Sequence, residues 1–143
     1  MPANLMNQRD LEFMLYELFD SESLIKRARY QDHDRQTFNQ VINTAKVIAE
    51  KHFLPIRQKL DSQQPTFDGK KLSLIAELKP AIDAVIQSGL PSATADYQSS
   101  GMQLPPIIAS VASTYLTAAG GVGLGYNMLT NANANLLEAY GSK

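Results

Sequence analysis

The stretch DRQTFNQVINTAKVIAEKHFLPIRQKL, residues 34–60, decides the fold class. Its apolar residues recur with the 3.6-residue spacing of a helix and predict one buried face. That face consists of Phe38, Val41, Ile42, Ala45, Ile48, Ala49 and Phe53. Asp34 is placed to cap the helix, because a carboxylate there accepts backbone N–H groups. Pro55 lacks an N–H and crowds the preceding turn, so we expect a kink or an end to regular hydrogen bonding there.

Shorter elements are predicted on either side of this long helix. Residues 9–20 form a first helix that Asn7 can cap, and a short second helix follows Ser21. The stripe of the first helix consists of Leu11, Met14, Leu15, Leu18 and Phe19. Residues 61–71, DSQQPTFDGKK, are rich in turn-forming residues and predict a loop.

Three further helices are predicted toward the C-terminus. The fourth covers residues 75–88, with Pro80 as a first-turn residue at which the helix restarts and Gly89 as its stop. A fifth over residues 107–119 follows a pair of prolines, and a sixth ends at Gly141. No alternating strand pattern of useful length occurs. The predicted fold class is therefore all-α, an antiparallel bundle of about six helices.

Charge is distributed very unevenly along the chain. Twelve of the 13 Lys and Arg residues lie between Arg9 and Lys79, and residues 97–137 carry no charged side chain. A surface helix normally has a charged face, so this segment is expected to be covered on most sides. The cover could come from the domain itself, from missing domains or subunits, or from a membrane. Prolines, hydroxyls and amides interrupt the segment, so we expect no membrane insertion.

Composition excludes several classes of function. The chain has no Cys, which excludes disulfides, thiolate zinc sites and Cys nucleophiles. A net charge of −1 argues against a general nucleic-acid binder, which needs a basic excess. No basic and apolar leader pattern opens the sequence, and together with the lack of Cys this favours a cytoplasmic location.

The candidate motifs do not assemble an active site. GGVGLG, residues 120–125, lacks the spacing of a dinucleotide fingerprint and instead favours close approach of helices or of a ligand. The adjacent residues Asp32, His33 and Asp34 point in different directions, so their side chains rarely converge on one metal ion. We expect a solvent-exposed start of a helix here rather than a metal site. His52 has no partner motif. Glu138 is isolated in an uncharged region, which makes it a candidate base, but its position predicts a solvated helix end.

Four stretches share their order and spacing with one known family. They are RDLEFMLYELF at residues 9–19, the helix at 38–61, the Gly-Leu-Pro turn and loop at 89–101, and LPPIIASVASTYLTAAGGVGLGYNMLTNANANLLEAYGSK at 104–143. Together they resemble the N-terminal helical domain of the acyl-CoA dehydrogenases. The first stretch resembles the extension of a larger bacterial branch that includes methylthiopropanoyl-CoA dehydrogenase-like proteins. Gln98 and Ser99 depart from the Gly-Gly of that family.

The resemblance implies that the chain is part of a larger flavoenzyme. Residues 1–33 would be an N-terminal extension and residues 34–143 the N-terminal helical domain, with the β-domain and the C-terminal helical domain missing. The parent would use FAD to dehydrogenate an acyl-CoA thioester and would be a homo-oligomer. The catalytic Glu and most FAD contacts belong to the missing domains. The chain alone is therefore predicted to be inactive and to bind no FAD.

The resemblance also implies that this domain contributes one wall of the acyl pocket near residues 121–129. Apolar, small and flexible side chains there suit an acyl chain. The candidate residues are Val122, Leu124, Gly125, Met128 and Leu129. Ordinary helix–helix contacts would explain the same residues. A second hypothesis is a stand-alone helical interaction module that docks a partner through residues 97–137.

Overall fold

The computed structural model describes residues 5–120 and 125–141, and this part of the chain is mostly helical. Its α-helices are α1 (Gln8–Glu12), α2 (Arg35–Ile48), α3 (Arg57–Ser62), α4 (Leu78–Gln87), α5 (Pro106–Gly120) and α6 (Gly125–Tyr140). Two short strands, β1 (Thr66–Phe67) and β2 (Leu72–Ser73), form an antiparallel hairpin. The all-α class therefore agrees with the structure except at this hairpin, and the antiparallel arrangement of a bundle stays a prediction.

Helix α2 begins where its cap predicts. Asp34 has an extended backbone, and its Oδ1 accepts hydrogen bonds from the Thr37 N–H at 2.6 Å and the Thr37 hydroxyl at 2.7 Å. These bonds satisfy donors that the first turn of a helix leaves unpaired. They also lower the pKa of the Asp34 carboxyl, because they favour its charged form. The predicted face is confirmed, since Phe38, Ala45 and Phe53 are fully buried.

The predicted irregularity at Pro55 is confirmed. Helix α2 continues into a π-helical turn at Ala49–Phe53 and a 3₁₀ turn at Leu54–Ile56, and α3 follows. A proline ring collides with the carbonyl four residues earlier in a regular helix. The π turn bonds each N–H five residues back instead of four, so it departs from the spacing that produces that collision.

The first predicted helix is only partly right. Asn7 caps α1, accepting the Arg9 N–H at 3.0 Å, but the helix changes to π-helical hydrogen bonding at Phe13–Leu18. Leu11 and Leu15 are buried in the core. The rest of the expected stripe is exposed: Met14, Leu18 and Phe19. A π-helical turn contains more residues than an α-helical turn. Residues with α-helical spacing therefore no longer share one face here, and the buried part of the stripe is separated from the exposed part.

The loop predicted over residues 61–71 contains regular structure. Helix α3 extends to Ser62, and the hairpin pairs Phe67 with Leu72. The Asp68 Oδ1 holds the turn by accepting the N–H groups of Lys70 at 2.9 Å and Lys71 at 2.7 Å. Strands of two residues are too short to show an alternating pattern, which is why the sequence predicted a loop.

Helix α4 begins at Leu78, three residues later than expected, and keeps Pro80 in its first turn. Gly89 ends it in the left-handed region, with φ of 73°, as predicted.

Helix α5 packs along α2 and along the π turn at Ala49–Phe53. The last residue of α5, Gly120, approaches Phe53 so closely that an added Cβ would lie 3.1 Å from the Phe53 Cβ. The largest fully buried side chains include those of Phe38, Phe53, Ile108 and Tyr115.

Candidate functional site

An open cleft of about 670 Å³ lies between α5, α6 and the segment that follows α4. We call it the α5–α6 cleft. Its first wall comes from α5, its second wall from α6, and its third wall from residues 90–95. The volume falls within the range of small-molecule sites in proteins. The cleft is therefore the candidate binding site of this chain.

The segment 90–95 is held in place by the N-terminal part of the chain. The Arg29 guanidinium pairs with Asp96 at 2.5 Å and donates to the Thr94 carbonyl at 3.1 Å. The Arg29 carbonyl accepts from the Gln103 side chain at 3.2 Å. The His33 Nε2 lies 3.2 Å from the Gln103 carbonyl oxygen, and the Gln103 N–H in turn donates to the Ala95 carbonyl at 3.0 Å. The N-terminal extension thus supports one wall of the cleft.

Helix α6 is positioned from its C-terminal half. The Ser99 hydroxyl donates to Glu138 Oε1 at 2.7 Å, and α6 packs against the turn Leu90–Ser92. Glu138 is exposed, as expected for a helix end, but its carboxylate accepts a hydrogen bond from Ser99 in the loop before α5. This contact gives Glu138 a role in fixing α6 beside the cleft.

The described lining of the cleft is uncharged. Its apolar surface includes Val85, Leu90 and Leu116, and small residues leave room between them. The polar lining consists of hydroxyl and amide side chains: Ser92, Thr94, Ser110, Ser113, Thr117, Asn131 and Asn135. Such a surface supplies hydrogen-bond donors and acceptors without a formal charge. The described lining also offers no cation to pair with a pyrophosphate, so it does not fit that part of FAD.

The predicted acyl-pocket residues fall in different places. Gly125 lines the cleft. Leu129 is 66% exposed on α6 and is not part of the described lining. Val122 and Leu124 lie outside the described residues, as does the side chain of Met128. The wall proposed from the sequence therefore stays a prediction, and of its two candidates whose side-chain positions are described, Gly125 lines the cleft and Leu129 does not.

The sequence analysis missed the polar lining. Ser110 and Ser113 are three residues apart on α5, and Asn131 and Asn135 are four residues apart on α6. These spacings place each pair on one face of its helix. This spacing could have predicted the two polar faces, but it belongs to no catalytic or binding motif.

Helix α6 has an unusual distribution of polar and apolar residues. Its described apolar side chains are exposed on one side, which we call the outer stripe: Leu129, Leu136, Leu137 and Tyr140. Asn131, Asn135 and Glu138 lie on the opposite side by helical spacing, toward the cleft or the loop. Within the described chain this domain covers the apolar side of α5 but not the outer stripe of α6, which leaves missing domains or subunits as the expected cover of α6.

The remaining candidate residues have structural roles. Asp34 caps α2, and His33 packs on Phe38 with ring centroids 5.9 Å apart. In the ranges 5–120 and 125–141, no group of three or more His, Asp or Glu residues could hold a metal ion. No helix in those ranges is long and apolar enough to cross a membrane.

No protein-family model matches this chain, and the search of curated proteins found no match either.

Proposed function

We propose that this chain is the N-terminal helical domain of an FAD-dependent acyl-CoA dehydrogenase. In this role it supplies part of the acyl pocket and a packing surface for the rest of the polypeptide. The observation that carries the proposal is the outer stripe of α6, which is apolar while the opposite side of the same helix is polar. The order of the helices and the resemblance of four stretches of sequence support it.

The apolar outer stripe of α6 requires another protein surface to bury it. A surface helix of a free-standing domain turns its apolar side inward and its polar side to solvent. Helix α6 has Leu136 and Leu137 more than half exposed, and Tyr140 84% exposed. Contiguous apolar surface of this kind marks a contact with another protein surface. The β-domain and the C-terminal helical domain of a longer polypeptide would supply that contact.

The α5–α6 cleft supports the second part of the proposal. An acyl chain needs an apolar surface with space for methylene groups, and Leu90, Ala112 and Leu116 offer both. FAD, which would be held by the missing domains, would supply the acceptor for the hydride. The residues of this chain would orient the acyl chain and exclude water from it. Proton removal at the α-carbon belongs to a part of the enzyme outside this chain.

The same stripe also favours a second candidate function. A stand-alone interaction module would use residues 97–137 to dock an apolar helix of a partner protein. In that case no flavin and no acyl-CoA would be involved. The homo-oligomeric state and the cytoplasmic location stay predictions under either proposal.

Intact mass in the native host separates the two functions. An antibody raised against the outer surface of this chain would isolate the native protein for mass spectrometry and absorbance spectroscopy. We expect a mass several times 15.7 kDa, with bound flavin that an acyl-CoA bleaches in the absence of oxygen. A native species of 15.7 kDa without flavin would overturn the dehydrogenase proposal and support the interaction module. A longer species without flavin would also contradict it.

A second readout uses the chain as it stands. We expect the 143-residue protein to show no acyl-CoA oxidation above a heat-inactivated control, even with FAD and an artificial electron acceptor. Turnover by this chain alone would contradict the assignment of the chemistry to other domains.

A further inference from the structure

Two pairs of neutral polar side chains line opposite walls of the α5–α6 cleft. Ser110 and Ser113 belong to α5, and Asn131 and Asn135 belong to α6. In the described part of the protein, none of these four side chains has a hydrogen-bond partner. A ligand in the cleft would meet two hydroxyls and two amides, each of which can donate and accept hydrogen bonds.

Apolar side chains share the same space. Val85, Leu90 and Leu116 line the cleft together with the polar pairs. A ligand with an aliphatic part can therefore bury that part in the same site where its polar group forms hydrogen bonds. Small-molecule sites usually combine a mainly apolar lining with a few placed polar groups in this way.

The lining discriminates among classes of ligand. An anion would lose part of its hydration without gaining a cationic partner, because the described lining contains no Lys, Arg or His. A cation would likewise find no carboxylate. A plain hydrocarbon would cover the hydroxyls and amides without bonding them, which costs free energy. A neutral hydrogen-bonding group avoids all three penalties.

We infer that the α5–α6 cleft binds an uncharged amphipathic ligand: an aliphatic chain that carries a carboxamide or a hydroxyl group. Asn131 and Asn135 bond the polar group, and Leu90 and Leu116 contact the chain. The inference rests on the proposed function for the source of the ligand, which would be an acyl group with a neutral polar substituent. The selectivity of the cleft itself needs no flavin.

The test uses hexanamide and hexanoate as probes, because they share a chain length and differ in charge at neutral pH. Each is titrated into the isotope-labelled chain and followed by NMR. We expect hexanamide to shift the side-chain amide signals of Asn131 and Asn135 in a saturable way. We expect hexanoate to bind at least about tenfold more weakly, because its carboxylate is desolvated without a partner. Equal binding of the two probes, or no saturable shift in the cleft, would overturn the inference.

A matched pair of variants locates the selectivity. Asn131→Leu/Asn135→Leu replaces both cleft amides by side chains of similar size, and we expect hexanamide affinity to fall about tenfold. Asn133→Leu is the control, since Asn133 lies on the same helix four residues after Leu129, on the side of the outer stripe. The control should bind hexanamide like the wild type. An equal loss in the control would overturn the assignment to the cleft.

The outcome stays informative if a variant does not fold. Circular dichroism reports folding, and the preference of the wild-type chain for hexanamide over hexanoate tests the inference without any substitution. A native protein of 15.7 kDa without flavin that prefers hexanamide would sink the dehydrogenase proposal and leave this cleft chemistry intact. A full-length flavoenzyme whose N-terminal domain shows no preference would do the reverse.

Discussion

Helices α5 and α6 are similar in length and composition, yet they have opposite environments. They contain 15 and 16 residues, and Glu138 is their only charged residue. Helix α5 buries Ile108, Tyr115 and Ala119 in the core and packs along α2 and the π turn at Ala49–Phe53. Helix α6 leaves its outer stripe exposed. The lack of charge in a helix therefore indicates that it needs cover, but does not indicate which part of a protein supplies the cover.

The largest effect that tests this comparison is expected at two tyrosines, one in each helix. Tyr115 in α5 is 2% exposed and Tyr140 in α6 is 84% exposed. We expect Tyr115→Ala to lower the free energy of unfolding by about 3–5 kcal/mol, because it empties a packed site. We expect Tyr140→Ala to change it by less than about 0.5 kcal/mol. Urea denaturation followed by circular dichroism measures both, and equal losses would contradict the contrast between the helices.

A smaller effect is expected at the two glycines where α5 ends and α6 begins. A Cβ at Gly120 would lie 3.1 Å from both Cβ and Cδ1 of buried Phe53, whereas a Cβ at Gly125 would meet nothing within 4 Å. We expect Gly120→Ala to destabilise the fold by about 1–3 kcal/mol through overpacking. We expect Gly125→Ala to stabilise it by about 0.4–1 kcal/mol, since alanine restricts the unfolded chain more. Thermal melts of both variants check the signs, and a stabilised Gly120→Ala variant would show that Phe53 can move.

The smallest expected effect is a difference in acid sensitivity between α2 and α5. Hydrogen bonds from Thr37 lower the pKa of Asp34 in the folded state below its ordinary value of 3.8. The charged cap therefore stabilises the fold above the unfolded pKa, and this contribution is lost as pH falls through the lower folded pKa. Helix α5 begins at Pro106 and has no acidic residue in its first turn. We expect acid to lower the amide protection factors at the start of α2 before it lowers those in α5.

Asp34→Asn is the control for this effect. Asparagine keeps a capping oxygen but does not titrate, so the variant should lose less stability than the wild type between neutral pH and pH values below the Asp range. A variant that is as acid-sensitive as the wild type would assign the loss to other groups. Asp68 and Glu77 are the first candidates, since hydrogen bonds to backbone N–H groups and to Lys59, respectively, also lower their pKa values.

The sequence predicted the parts of the fold that local chemistry determines. The cap at Asp34, the buried face from Phe38 to Phe53, the irregularity at Pro55 and the stop at Gly89 each follow from one residue type or one spacing. The N-terminal stripe was less predictable, because the change to π-helical hydrogen bonding at Phe13–Leu18 leaves no mark in a hydrophobic pattern. The hairpin was missed because strands of two residues have no measurable period.

The candidate site was much less predictable than the fold. The sequence pointed to the glycine-rich region, and Gly125 does line the cleft. The polar wall depends on the placement of α6 beside α5, which the Ser99–Glu138 contact helps to fix. These two residues are 39 positions apart, and spacing within one helix contains no information about such a contact. For the same reason the sequence left open whether α6 would be covered by this domain or by a surface outside it.

The π turn at Ala49–Phe53 has a consequence for how this chain can change over evolutionary time. Loss of one residue from the turn would restore ordinary helical spacing and would bring the Pro55 ring against the carbonyl of the residue then four positions before it. Replacement of Pro55 alone removes that conflict and leaves the turn in place. The two changes are therefore epistatic, and their order matters. A lineage that replaces the proline first can later lose the residue without a steric clash. A lineage that loses the residue first creates the clash between the proline ring and the carbonyl.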